Sequence, residues 1–100
     1  MADPTLRAHT VLGCVQMERI KQDVKWGEQN HADLAWLAIL GEEFGEASQC
    51  VTKSSVGPTE PTEAKEYYEL LEYELVQVAA VCVAWLECIR RREATDTGGE

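Results

Sequence analysis

Two long stretches of this chain repeat apolar residues at intervals of three and four positions, which is the period of an amphipathic α-helix. The first row is Leu34, Leu37, Leu40, Phe44, Ala47 and Val51, and the second is Leu71, Leu75, Val78, Cys82, Trp85 and Ile89. No stretch shows the apolar and polar alternation of a half-buried strand. We therefore expect an all-α fold in which both rows face the core.

Turn-forming residues divide the chain into three predicted helices. Their predicted bounds are about 4–25, 31–53 and 62–92. The segment 54–61 concentrates serine, glycine and two prolines and is the predicted loop. The composition of 95–100 is typical of a frayed tail. At 100 residues the chain is expected to form a single domain, 1–100.

Helix caps can be assigned at three places. Asp3 followed by Pro4 is typical of an N-cap and a first helical residue, and Gly27 is typical of a helix stop. Asn30, with Asp33 three positions on, is the N-cap candidate for the second helix. Because the third helix is too long to be covered by the other two, we expect a second subunit to complete a four-helix bundle, as a homodimer or homotetramer.

Charge and cysteine content narrow the classes of partner. Eighteen acidic against nine basic residues give a net charge of -9, which argues against a nucleic-acid partner. No apolar stretch is long enough for a membrane span, and the N-terminus lacks the pattern of a signal peptide, so a cytoplasmic location is expected. The cysteines show no metal-binding spacing and are expected to be buried, reduced thiols. They are Cys14, Cys50, Cys82 and Cys88.

Glutamates interrupt a second row of residues, one position away from each apolar row. These rows are Trp36, Ile39, Glu43, Glu46, Cys50 on the second helix and Leu70, Glu74, Gln77, Val81, Ala84, Cys88 on the third. Burial of an unpaired carboxylate costs several kcal/mol, so a facing lysine, arginine or metal ion is expected. Carboxylate and amide oxygens are the ligands that Mg²⁺ and Mn²⁺ prefer. The alternative is that these glutamates are solvated residues at the edge of the apolar rows.

Two segments resemble the motifs of a known family. Residues 40–47, Leu-Gly-Glu-Glu-Phe-Gly-Glu-Ala, resemble the L-x-E-E-x-G-E-x motif of the MazG-like all-α nucleotide pyrophosphohydrolases. Residues 74–81, Glu-Leu-Val-Gln-Val-Ala-Ala-Val, resemble the second motif, E-L-x-D-V-x-x-x, and 25–29 also look similar to members of the family. The resemblance covers about 15–92. It departs from the family at Gln77, where aspartate is usual.

The resemblance implies that Glu43, Glu46, Glu74 and Gln77 bind Mg²⁺, or Mn²⁺. It also implies hydrolysis of a (deoxy)nucleoside triphosphate to the monophosphate and pyrophosphate, in a bacterium or phage. The catalytic candidates are Glu46, as the base that activates or orients water, and Glu43, with Glu42 as the second choice for the base. Because an amide brings no charge, Gln77 would leave the site with fewer metal ions, weaker binding, or binding without cleavage.

Cationic and aromatic residues are candidates for substrate contacts. Lys53 follows the carboxylate row of the second helix, and Lys21 and Lys25 lie on the first helix. Trp26 could stack on a base and Asn30 could read its edge. The alternative readings are solvated lysines and a tryptophan that packs between helices.

Two other functions are compatible with the same pattern. The first is a helical nucleotide-binding or regulatory module without turnover, and the second is a structural dimerisation bundle whose acidic rows face solvent. The first alternative predicts metal or nucleotide binding without pyrophosphate release, whereas the second predicts no specific effect of metal on thermal stability.

Overall fold

The structure, a computed structural model, describes residues 3–56 and 60–98, with side chains as far as Thr95. The described residues form three helices: α1 (Pro4–Trp26), α2 (Asp33–Ser55) and α3 (Pro61–Gly98). They contain no strand, so the prediction of an all-α fold is confirmed. Residues 57–59 of the predicted loop and the last two residues of the predicted tail lie outside the described residues.

The ends of α1 follow the predicted caps. The Asp3 carboxylate accepts a hydrogen bond from the backbone N–H of Thr5 at 2.8 Å, and Pro4 occupies the first turn, where no N–H is needed. Gly27 adopts a φ of 72° and its N–H donates to the carbonyl of Asp23. A positive φ of this kind favours glycine, so the stop after Trp26 is encoded locally.

The start of α2 differs from the prediction. Ala32 is the N-cap residue and has no side-chain capping bond, so the assignment of Asn30 as the cap was wrong. The Asn30 amide instead donates to Glu28 and accepts from Arg91 on α3. The Asn30 side chain, which the sequence spacing assigned to capping, therefore connects the segment before α2 with α3.

The third helix is the central element of the fold. It has 38 residues, runs to Gly98 rather than ending near Arg92, and packs against both α1 and α2. The described chain is elongated, with principal extents of 61 × 34 × 22 Å. Two flanking helices of 23 residues each cannot cover all sides of a helix of this length.

The core lies on the rows that contain the glutamates. Its buried cluster consists of Trp36, Val81, Ala84 and Cys88, with Ile39, Leu40 and Trp85 packed against it. The predicted core row of α2 is largely exposed within the single chain, where Leu34 is 82%, Leu37 56% and Phe44 65% exposed. Because Trp36 is the largest fully buried side chain, its burial turns α2 so that Glu43 also faces α3.

Arginines of α3 hold the connection between α1 and α2. Arg91 donates to the carbonyl of Gln29, and Arg92 donates to the carbonyl of His31 and to the Asp33 carboxylate. These charge-assisted bonds satisfy carbonyls that have no partner in a helix or strand ladder. The segment between the two helices is thereby fixed against the C-terminal half of α3.

The cysteines differ in burial. Cys50 and Cys88 are buried, Cys82 is half-buried and Cys14 is exposed, and all four are free thiols. The expectation of a buried thiol was therefore wrong for Cys14.

Within residues 3–56 and 60–98, no helix is both long enough and apolar enough to span a membrane.

Candidate metal centre and adjoining cavities

Three glutamates meet where α2 crosses α3. Glu43 and Glu46 are one turn apart on α2, and Glu74 faces them from α3. One carboxylate oxygen from each of the three lies within 4.8 Å of the other two. We call Glu43, Glu46 and Glu74 the carboxylate cluster.

The carboxylate cluster is electrostatically strained. Burial, followed by the negative charges of Glu46 and Glu42, raises the pKa of Glu43. Burial also raises the pKa of Glu74 to about 6, with hydrogen bonding to Glu46 and the charges of both α2 glutamates adding to the effect. Both shifts mean that the ionised cluster is unfavourable as it stands.

The carboxylate cluster has no cationic side-chain partner among the described residues. None of the ion pairs between described residues involves Glu43, Glu46 or Glu74. Glu74 Oε2 is buried and has no hydrogen-bond partner among the described residues, which is costly for a carboxylate oxygen. Hard oxygen donors at this separation fit a divalent cation such as Mg²⁺ or Mn²⁺.

Gln77 is joined to an acid that the sequence analysis did not select. Its side-chain amide donates a hydrogen bond to Glu18 Oε1 on α1. The charge of Glu18 also adds a minor contribution to the raised pKa of Glu43, after burial and the α2 acids. The sequence signal was available, because Glu18 lies three positions after Val15, the buried residue of α1.

Tyr73 was also missed. Burial, followed by the charges of Glu18 and the three clustered glutamates, raises the pKa of the Tyr73 phenol. Tyr73 precedes Glu74 and lines a cavity of about 660 Å³ together with Glu18 and Gln77. Lys21, a candidate for phosphate binding, lines the same cavity.

The other substrate-binding candidates are distributed unevenly. Trp26 lines a cavity with Glu43 and Gln77, and the Lys25 ammonium lies 4.8 Å from the centre of the Trp26 ring. Lys53 instead lies 5.4 Å over the ring of Tyr67. Asn30 lines a separate cavity near the C-terminal part of α3. The structure thus places Trp26 beside Glu43 of the carboxylate cluster, with Lys25 against the Trp26 ring, and gives Lys53 and Asn30 other contacts.

Two cavities adjoin each other, and one of them reaches Glu43 of the carboxylate cluster. The small cavity, of about 150 Å³, is lined by Glu43 and Gln77 together with Trp26, Gln22, Gln29 and Trp36. The larger cavity of this pair has a volume of about 300 Å³ and is called the large cavity. It shares Gln22, Gln29 and Trp36 with the small cavity and extends to Arg19 and Arg91. A molecule seated in the small cavity would therefore lie next to Glu43.

Comparisons of the chain with models of protein families, with curated proteins and with solved structures returned no match. The resemblance to the MazG-like enzymes consequently depends on the two motifs and the residues that they contain.

Proposed function

We propose that this protein is a metal-dependent nucleoside triphosphate pyrophosphohydrolase, acting in the cytoplasm and releasing pyrophosphate and a nucleoside monophosphate. The observation that carries the proposal is the convergence of Glu43, Glu46 and Glu74 within 4.8 Å, without a cationic partner among the described residues. The sequence resemblance, in which two motifs recur in the family's order, supports the same activity.

The chain's own residues have separable tasks in this proposal. Glu43, Glu46 and Glu74 hold the cation through carboxylate oxygens. Bound Mg²⁺ or Mn²⁺ supplies neutralisation of phosphate charge and lowers the pKa of a bound water. Glu46 is the most exposed of the three, so it is the best placed to accept a proton from that water. Lys21, which lines the cavity beside Glu18, contacts phosphate oxygens.

We also propose that two copies of the chain pack through α2, as a homodimer or as one interface of a homotetramer. Leu34, Leu37, Phe44 and Val51 form an exposed apolar row on this helix. Contiguous apolar surface of this kind is unusual on a monomer and is typical of an interface. Packing of two such rows would bury the residues that the sequence pattern assigns to a core.

A binding or regulatory module is the second candidate. The observation that favours it is the neutral side chain of Gln77, whose NH₂ group donates to Glu18 and whose oxygen brings no negative charge to a cation. In this case the cluster would bind a divalent cation, with or without nucleotide, but turnover would be absent.

The decisive experiment measures pyrophosphate release from a panel of ribo- and deoxynucleoside triphosphates with Mg²⁺, with Mn²⁺ and with EDTA. We expect metal-dependent release that Glu43→Gln abolishes and that Glu66→Gln, a change at an exposed glutamate outside the cluster, leaves intact. Melting temperatures with and without Mn²⁺ accompany the assay, because a cation that binds only the folded state raises the melting temperature. Stabilisation without release would favour the binding module, and neither effect would favour a structural bundle.

A further inference from the structure

The most deeply buried aromatic side chain carries an unsatisfied donor. Trp36 is 1% exposed, and its indole N–H has no hydrogen-bond partner among the described residues. An unpaired buried donor costs about 1–3 kcal/mol, so most proteins retain one only where a water or ligand completes it. Trp36 borders both the small and the large cavity, so its buried donor lies at the wall that the two cavities share.

Two glutamines add hydrogen-bonding capacity around the same cavity. The Gln22 side-chain oxygen accepts a hydrogen bond from Arg19, which orients the amide and leaves its NH₂ group as a donor. The Gln29 backbone carbonyl accepts from Arg91, while its side chain makes no hydrogen bond among the described residues. The lining therefore offers two fixed donors, from Trp36 and Gln22, and one amide that can donate or accept.

The volume of the small cavity suits a single ring. A cavity of about 150 Å³ holds a single six-membered ring such as benzene. Trp26 supplies exposed aromatic surface, while the buried ring of Trp36 and the side chain of Ile39 complete the apolar wall. A two-ring base would have to extend past Gln22 and Gln29, the residues shared with the large cavity. Apolar and aromatic walls with a few convergent polar groups are typical of a small-molecule site.

From these contacts we propose that the small cavity binds the base of a pyrimidine nucleotide, with the Trp36 N–H donating to a ring carbonyl and the two glutamines reading the remaining edge. The inference rests on the proposed function, since it places the base beside Glu43 and directs the phosphates toward the carboxylate cluster. It narrows that function to pyrimidine substrates. It also assigns the unsatisfied indole donor to substrate recognition.

An NMR titration with nucleosides tests the base site without metal or phosphate. The indole N–H resonances of ¹⁵N-labelled protein are followed in EDTA as deoxycytidine, deoxyuridine, deoxyadenosine or deoxyguanosine is added, and the Trp36→Phe spectrum identifies the Trp36 resonance. We expect this resonance to shift with the pyrimidine nucleosides, which bind at least tenfold more tightly than the purine nucleosides. A resonance that does not move, or moves equally with purines, overturns the proposal.

Variants separate recognition from folding. Trp36→Phe keeps the ring and removes the donor, and we expect pyrimidine affinity to fall about tenfold. Gln29→Leu, on the less buried rim, should weaken binding severalfold even if Trp36→Phe folds poorly. Trp85→Phe and Gln49→Leu are the matched controls, because neither residue lines the small cavity. Unchanged affinity in Gln29→Leu and in folded Trp36→Phe contradicts the assignment.

The proposed hydrolysis and the proposed base site can be refuted independently of each other. Pyrimidine binding without pyrophosphate release from any triphosphate would refute the proposed hydrolysis and support the base site. Release at equal rates from purine and pyrimidine triphosphates, with no nucleoside preference, would support the hydrolysis and refute the base site.

Discussion

The side-chain amide of Gln77 on α3 donates a hydrogen bond to the Glu18 carboxylate on α1, beside the carboxylate cluster. An ionised aspartate could not donate this bond, and its charge would repel Glu18. The neutral residue at position 77 is thus matched to an acid supplied by another helix.

Gln77→Asp should destabilise the metal-free protein by about 1–2 kcal/mol, because the hydrogen bond is replaced by repulsion between carboxylates. Urea unfolding in EDTA measures this change. The exchange Glu18→Gln with Gln77→Asp should recover much of the loss, since one amide again faces one carboxylate. Gln49→Asp, an exposed change on α2, is the control for added charge. Equal stability of Gln77→Asp and Gln49→Asp would refute the pairing of Gln77 with Glu18.

The raised pKa of Glu74 predicts how stability depends on pH. Below pH 4.5 the residue is protonated in both folded and unfolded chains and contributes no penalty, whereas above about pH 6 it is ionised in both and the penalty is complete. We expect the free energy of unfolding of the metal-free protein to fall by about 1 kcal/mol between these limits. This is roughly half the value for a fully buried group, because solvent screens a partly exposed carboxylate.

The free energy of unfolding of wild type and Glu74→Gln, measured from pH 4 to 8 in EDTA, isolates this contribution. The variant should be the more stable protein above about pH 6, and the difference should vanish near pH 4.5. Mn²⁺ should stabilise wild type more at pH 7 than at pH 5, because protons compete for the ligand. A difference that does not depend on pH would contradict the prediction.

Arg19 should be the most important cation for the contact of α1 with α3. Its guanidinium donates to Glu87 at 2.8 Å, to Gln22 and to Asp23, and its side chain is only 13% exposed. Arg19→Met should cost about 1–2 kcal/mol in chemical denaturation. Lys65→Met is the matched control, because Lys65 is exposed and its pair with Glu69 at 4.0 Å should contribute little.

Leu37→Glu should convert the proposed oligomer into monomers, because it places a charge in the exposed apolar row of α2. Sedimentation equilibrium gives the mass directly. Leu6→Glu makes the same substitution at an exposed residue of α1 and should leave the mass unchanged. A monomeric wild-type protein, or an oligomer that survives Leu37→Glu, would show that this row is not the interface.

Features that depend on residues close in sequence were predicted well. The Asp3 cap, the Gly27 stop and the three helices were all recognisable, because hydrogen bonding within a helix depends on residues at most four positions apart. The same reason explains why Glu43 and Glu46 could be placed on one face. The bounds were less accurate at the start of α2 and the end of α3, where capping does not decide the outcome.

Features that depend on how helices rotate against each other were not predictable. A row of apolar residues and the row beside it differ by about 100° around the helix, and both can be brought to the inside. Burial of Trp36 selects the row with the glutamates, which leaves Leu34 and Leu37 exposed in the single chain. The contact of Gln77 with Glu18 likewise depends on how α1 and α3 rotate against each other.

The sequence by itself determined three helices, their principal caps and the spacing of the glutamates, because these follow from local hydrogen bonding and helical period. Only the tertiary structure decided that Glu74 meets Glu43 and Glu46, that Glu18 joins them, and that Trp36 has an unpaired donor beside a cavity. These relationships cross from one helix to another, and they depend on packing angles that no periodicity along a single helix specifies.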